Sequence, residues 1–228
     1  MLYSSLVRIL YHMWLSPACR KVRLVLAEKK LDHNLKVELD WEKRPDFLKM
    51  NPAGTVPVLI ELDGTILADA VAITEYLEDS YSDNPLLPAP AKEKAEVRRI
   101  VAWFDQKFKT EVSDILIREK IMKRYLKMGA PNSNAIRCAS QNIKIHLDYI
   151  SYLIERRNYL ASDRFSLADI SAAAHISVLD YLGDVNWEDN PLVKEWYMKV
   201  KSRRSFQSLL KDRISGLSPA PHYGKLDF

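Results

Sequence analysis

Three short stretches of the chain carry residue types and spacings suited to binding an extended ligand and holding negative charge. Asn51-Pro-Ala-Gly-Thr-Val-Pro57 is followed by Val58-Leu-Ile60 and a turn at Asp63-Gly64. Pro57 cannot donate a ladder hydrogen bond and its ring restricts Val56 to extended geometry, so a strand starting there leaves the Val56 N–H and C=O free to face a ligand. An X-Pro bond can also be cis at modest cost, which aims the preceding backbone outward. Ser16-Pro17 gives an N-cap and a proline at the first position of a helix, whose N-terminus favours negative charge. Asp69, with Ala70 after it, opens a further helix.

The elements that would position these residues follow from periodicity. Val7 to Tyr11 reads as a strand, and residues 17 to 30 as an amphipathic helix with Val22, Val25 and Leu26 inward and Arg20, Lys21, Arg23 and Lys30 in other directions. Leu35 to Leu39 is a second strand and Pro45 to Met50 a short helix. Val58 to Leu62 and Thr65 to Leu67 form a hairpin through Asp63-Gly64. Asp69 to Ser80 returns to helical period. The order βαβαββα over residues 1–83 is a thioredoxin-like module. Residues 84–91 hold three prolines and read as a linker. Helices are expected at 92 to 116, 134 to 156, 166 to 182 and 191 to 210, with another around 118 to 128, making 92–215 an all-α domain. Ser166-Leu-Ala-Asp169 opens its most apolar helix with a capping box. Residues 216–228 are an extended tail containing two prolines after Ser218.

Composition narrows the function classes. Hydrophobic residues make up 47% and charged residues 28% of the 228, ordinary for a soluble globular protein. No apolar run approaches the roughly 18 residues of a membrane span, and Met1 to Tyr11 lacks the pattern of a signal peptide, so a cytoplasmic protein without a membrane partner is expected. A net charge of +4 is too mild to imply nucleic-acid binding. The basic run Lys199, Lys201, Arg203, Arg204, Lys211 and Arg213 reads as a solvated face. Five scattered histidines propose no metal site, and six glycines leave little room for a nucleotide loop. Cys19 and Cys138 form no ligand or redox pattern, and Ser16-Pro-Ala-Cys19 looks like a Cys-x-x-Cys that has lost its attacking cysteine. Cys19 is then a small, partly buried helix residue.

Asn-Pro-x-Gly-x-Val-Pro-Val-Leu followed about a dozen residues later by an acidic residue opening a helix resembles the glutathione S-transferase (GST) family, and Ser166-Leu-Ala-Asp169 before an Ala-rich helix resembles its second signature. The resemblance implies a cis Pro57, with Val56 pairing backbone to backbone with glutathione. It implies Asp69 on the γ-glutamyl amine and the Ala70 N–H on its carboxylate. Ser16 matches the position of the thiol-activating hydroxyl, although a serine before a proline is equally a plain cap. Tyr11 is the alternative, since some classes use a tyrosine near the end of the first strand. Glutathione would be a co-substrate, with no cofactor required. Two departures weaken the pocket. Ala70 replaces a serine, removing a hydrogen bond to a charged group worth roughly 1.5–3 kcal/mol, and Thr55 stands where many members carry a basic or amide side chain.

Together with Leu10-Tyr-His, the Leu39 to Pro45 segment and Ile73 to Glu78, the tail resembles a GST-like branch in alphaproteobacteria that binds the tubulin-like FtsZ in cell division. This implies a bacterial homodimer whose partner is FtsZ or another division protein. The partner-binding candidates are Trp41, which as readily caps the core, and Pro221, His222, Tyr223, Leu226, Asp227 and Phe228 of the tail. Such a tail is either packed across its own domain or displayed. Two readings stay open: a division factor with weak or absent glutathione binding, and a serine-type transferase acting on small electrophiles.

Overall fold

The computed structural model describes residues 7–228; the signal-peptide reading lies partly on residues outside this range. Four strands form one sheet in the order β2-β1-β3-β4. β1 (Arg8–His12) runs parallel to β2 (His33–Val37) and antiparallel to β3 (Val58–Ile60), which pairs antiparallel with β4 (Ile66–Ala68). Leu10 pairs with Leu35 on one side and Leu59 on the other. The side-chain alternation of strands then divides the sheet. Leu10 and Leu59 face the main core beneath α1 (Pro17–Glu28) and α3 (Ala70–Ser80). Tyr11 and Val58 face Phe47 of α2 (Pro45–Met50) on the other side.

Element boundaries shift from the expected ones. β2 begins two residues early, α1 ends at Glu28, and Lys30 turns the chain at φ 57°. The hairpin strands are shorter because Glu61 N–H bonds the Thr65 carbonyl and Gly64 N–H the Glu61 carbonyl, closing a wider loop with Gly64 at φ 88°.

The second half is helical. α4 (Ala91–Ala102) continues without a break through a wide-turned stretch (Trp103–Ser113), α5 (Asp114–Ile117), a second wide-turned stretch (Arg118–Met122) and α6 (Lys123–Tyr125). Two helices expected here are thus one rod, with i→i+5 bonding where it passes the cleft described below. α7 (Ser133–Ile154) and α8 (Leu167–Leu182) follow. The capping box at Ser166 and Asp169 is formed, and nearly every α8 residue is buried. The expected 191 to 210 helix is instead α9 (Pro191–Lys201), a 3-10 turn (Arg204–Phe206) and α10 (Gln207–Leu210).

The largest correction concerns α1. Arg20, Lys21 and Arg23 are not solvated but buried, because α1 is covered by α8 as well as by the sheet and α3. Their charges are matched across the two halves: Lys21 to Asp105 at 2.6 Å, Arg20 and Arg23 to Asp212, and Arg20 Nη1 to Ser177 Oγ at 2.8 Å. Buried charges persist only when paired and hydrogen-bonded.

Candidate functional site

A cleft of about 720 Å³ opens between the sheet and the helical half. Ser16, Val56, Pro57, Asp69, Ala70 and Trp41 all line it. Its far wall comes from Asp105, Lys109, Asp114, Ile117, Ile121, Met122 and Tyr125 of the long rod, from His175 of α8, and from Arg213 to Ser215.

The Val56–Pro57 bond is cis, and Val56 N–H and C=O have no hydrogen-bond partner among the described residues. The loop before it is fixed by Asn51, whose Nδ2 donates to the Thr55 carbonyl at 2.8 Å and whose Oδ1 accepts from Ala53 N–H at 3.2 Å. Gly54 is required there: its φ is +61°, and a Cβ would meet Leu48 Cδ2 at 2.9 Å. Asp69 is held at φ 77°, a region non-glycine residues rarely occupy, and its Oδ1 caps α3 by accepting from Val71 N–H at 2.7 Å and Ala72 N–H at 3.2 Å. Neither its Oδ2 nor the Ala70 N–H is engaged among the described residues.

Ser16 is the N-cap of α1, accepting from Cys19 N–H at 3.3 Å, and its hydroxyl also bonds the Cys19 side chain. Donation to a ligand requires that hydroxyl to turn away from Cys19. Cys19 is fully rather than partly buried, and burial pushes its thiol up to about 11, so it supplies no thiolate near neutrality. Tyr11 is corrected as a candidate: it packs on Phe47 under the opposite face of the sheet, takes Lys36 Nζ on its hydroxyl at 3.3 Å, and does not reach the cleft. Trp41 is half-buried in a 3-10 turn (Asp40–Glu42) on the cleft wall.

The tail packs across the helical half. Tyr223 is corrected as a displayed residue: it is fully buried, its hydroxyl donates to the Leu209 carbonyl at 2.9 Å, and its ring meets Tyr181. Lys201 is likewise not part of a solvated face. It is buried with its ammonium 3.1 Å from Asp180 Oδ2 and 4.2 Å from the Phe228 ring centroid. Asp180 also accepts from Trp187 Nε1 and the Tyr197 hydroxyl, and His222 Nε2 lies 2.9 Å away. His222 and Phe228 are partly covered; Pro221, Leu226 and Asp227 are exposed.

Two features of the cleft escaped sequence reasoning. Trp14 lines it, accepting Arg20 Nε on its carbonyl at 2.7 Å with Arg23 over its ring. Asp105 lies between Lys21 and His175 and accepts from Ser171 Oγ at 2.6 Å, while His175 Nδ1 is 2.8 Å from Ser113 Oγ. Burial works to raise the Asp105 pKa, but His175 and Lys21 outweigh it and hold the carboxyl well below the usual range. Burial lowers the His175 pKa against the pull of Asp105. The result is an ionised carboxylate beside a buried imidazole on the helical wall of the cleft. Partners 62 to 84 residues apart leave no local signal for such a network.

Among the described residues no His, Cys, Asp or Glu cluster is arranged to hold a metal, and no helix is long and apolar enough to cross a membrane. Residues 10–85 match the family model for the glutathione S-transferase N-terminal domain. FtsZ-localized protein A of Caulobacter vibrioides is 46% identical over 98% of this chain and 100% of that protein. Two solved structures superpose closely, each over 97% of this chain and 100% of the other. A glutathione S-transferase from Rhodospirillum rubrum is 54% identical with a TM-score of 0.94. FzlA from C. crescentus is 46% identical with a TM-score of 0.95.

Proposed function

The chain belongs to the glutathione S-transferase family, and from that premise we propose that it is a GST-like cell-division protein that associates with FtsZ. The observation that carries this reading is the 46% identity to FtsZ-localized protein A over the whole length of that relative. The exposed ends of the tail and the Trp41 turn are its proposed contacts. Co-sedimentation with polymerised FtsZ tests it: the full chain is expected in the pellet at micromolar concentration, and a chain that stays in the supernatant removes the reading.

The same proposal includes a cytoplasmic homodimer in which the first domain of one subunit meets the second domain of the other. Leu62, Ile66 and Val71 are exposed on the first half, and Ile145 and Tyr152 on the second. Apolar patches of this kind are interface candidates. Light scattering expects twice the monomer mass; a monomer at tens of micromolar rejects it.

A second reading, transferase activity, is favoured by one arrangement: Ser16, Val56, cis Pro57 and Asp69 share one cleft. In that reading Ser16 donates to the glutathione thiolate, Val56 pairs with the tripeptide and Asp69 takes its amine, while the electrophile lies against Ile117, Ile121 and Met122. The missing hydroxyl at Ala70 makes glutathione binding weak. Calorimetric titration separates the cases: affinity tighter than about 1 mM, or about −4 kcal/mol, supports a transferase, and no heat at several millimolar supports a cleft without that role.

A further inference from the structure

A second recess lies at the other end of α1 from the cleft. Ser16 and Pro17, where α1 starts, line the cleft, whereas Ala27 and Glu28 at its end, with Lys30 beyond, line a crease of about 460 Å³. Arg203, Arg204 and Ser205 complete it, so the crease sits where the two halves of the chain meet. The helical rise from Ser16 to Ala27 is about 16 Å, which keeps the two sites apart.

The charges of the crease are unequally committed. Glu28 is saturated: one oxygen takes Arg203 Nε at 2.7 Å and the Ser205 hydroxyl, and the other takes Arg203 Nη2 at 2.8 Å. Arg203 is thereby fixed, its guanidinium 3.8 Å from the Phe165 ring centroid, while its Nη1 has no hydrogen-bond partner among the described residues. Lys30 and Arg204 are exposed, and neither side chain has a hydrogen-bond or ion-pair partner among the described residues. Lys29, by contrast, is committed to Glu78 and the Tyr81 carbonyl, each at 2.8 Å, and Asp32 does not line the crease. Three cations against one carboxylate leave the lining with a net charge of +2.

Two guanidinium groups and an ammonium around one recess suit a tetrahedral oxyanion, which accepts forked and point-charge donors from several directions. A dianion balances the net charge, whereas a single carboxylate leaves half of it uncompensated. An acidic peptide needs cations spread along a groove, and here they converge on one recess. The space over the Ala27 methyl group exceeds what a lone phosphate fills and leaves room for the organic part of an ester.

We propose that the crease at the end of α1 binds small phosphorylated compounds, with the terminal phosphate or diphosphate held by Arg203 Nη1, Arg204 and Lys30. The site is independent of the cleft and of the association with FtsZ. Because its residues come from both halves, an occupant ties them together and stabilises the folded chain.

The test is calorimetric titration of inorganic pyrophosphate into the full chain at neutral pH and low salt, with hexaglutamate as the rival chemistry. Pyrophosphate is expected to bind with a Kd below about 1 mM and to raise the unfolding temperature, and hexaglutamate to bind about tenfold more weakly. Arg204→Gln and Lys30→Asn should each weaken pyrophosphate by about fivefold or more, asparagine being chosen because it tolerates the left-handed backbone of Lys30 at φ 57°. Arg204→Lys should recover only part of the loss, since it restores the charge without the fork. Absence of heat with pyrophosphate overturns the proposal, as does an unchanged affinity in the double variant. Hexaglutamate binding as tightly as pyrophosphate also overturns it, by assigning the crease to an acidic protein segment. Both substituted side chains are exposed, and should one variant fail to fold, the wild-type titration and the other variant still decide the matter.

Discussion

Arg23 of α1 and Asp212, two residues past the end of α10, form a doubly hydrogen-bonded ion pair, Nη1 to Oδ2 at 2.9 Å and Nη2 to Oδ1 at 2.8 Å, with both side chains at most 2% exposed. Arg20 Nη2 reaches the same carboxylate at 3.2 Å. One anion therefore holds two buried guanidinium groups and joins the two halves immediately before Arg213 to Ser215 enter the cleft wall.

Asp212→Ala leaves both guanidinium groups buried without their counter-ion, and is expected to cost about 3–5 kcal/mol. Asp212→Asn keeps part of the hydrogen bonding and should cost less. Urea unfolding curves measure both; midpoints within error of wild type would show that the pair does not hold the halves together.

Acid sensitivity should begin above the carboxylate range. His12 is fully buried with neither ring nitrogen hydrogen-bonded among the described residues, and burial, reinforced by Arg23, lowers its pKa to about 3. The unfolded chain takes up the proton near pH 6.5 while the folded chain refuses it. Stability is therefore complete above about pH 6.5 and falls with decreasing pH toward 3, by up to about 1.4 kcal/mol per pH unit. Burial also lowers His146 and His175, which adds to the slope. Asp105, held low by its partners, contributes only below the normal carboxylate range. Urea midpoints at pH 7.5 and 5 should differ in wild type and differ less in His12→Phe, which removes one titrating group at similar volume. An equal pH difference in the two proteins would exclude His12 as a source.

What was legible in the sequence is what a local rule dictates. Pro57 lacks an N–H wherever it sits, and Asp69 and Ser16 cap whichever helix follows, so these members of the sheet wall were readable from local rules, while Trp14 beside them was not. The basic residues of α1 were not. A helical period separates one apolar face from the rest, and it cannot show that α8 covers the remaining face or that counter-ions arrive 84 and 189 residues later. The wide turns that carry Asp105 and Lys109 past the cleft likewise leave no mark in the hydrophobic pattern. In the tail, prolines forbade a helix without saying whether the segment was docked or displayed, so Tyr223 stood as a partner-binding candidate although it packs against the Tyr181 ring.

Ser16→Ala removes the cap of α1 and should lower stability by about 1 kcal/mol. If glutathione conjugation is present, the same change should reduce kcat by about tenfold or more, since the hydroxyl assigned to the thiolate in that reading is gone. Ser16→Asp separates the two effects, because it caps the helix but places a carboxylate against the thiolate. Stability should recover and conjugation should not. Recovery of both would make Ser16 a cap alone.

The tail should divide into a packing part and a contact part. Tyr223 is sealed between Tyr181, Arg20 and Lys201, so Tyr223→Ala opens a cavity in the helical core and should cost about 3–5 kcal/mol. Leu226 and Asp227 are exposed, and their replacement by Ala should shift stability by less than about 0.5 kcal/mol. On the proposed division reading the double variant Leu226→Ala, Asp227→Ala nonetheless loses most of its co-sedimentation with FtsZ filaments. Tyr223→Phe keeps the ring and drops only the bond to Leu209, so it should sediment like wild type. A stable double variant that still pellets fully would move the contact away from the chain end, leaving the Trp41 turn as the surface to be mutated next.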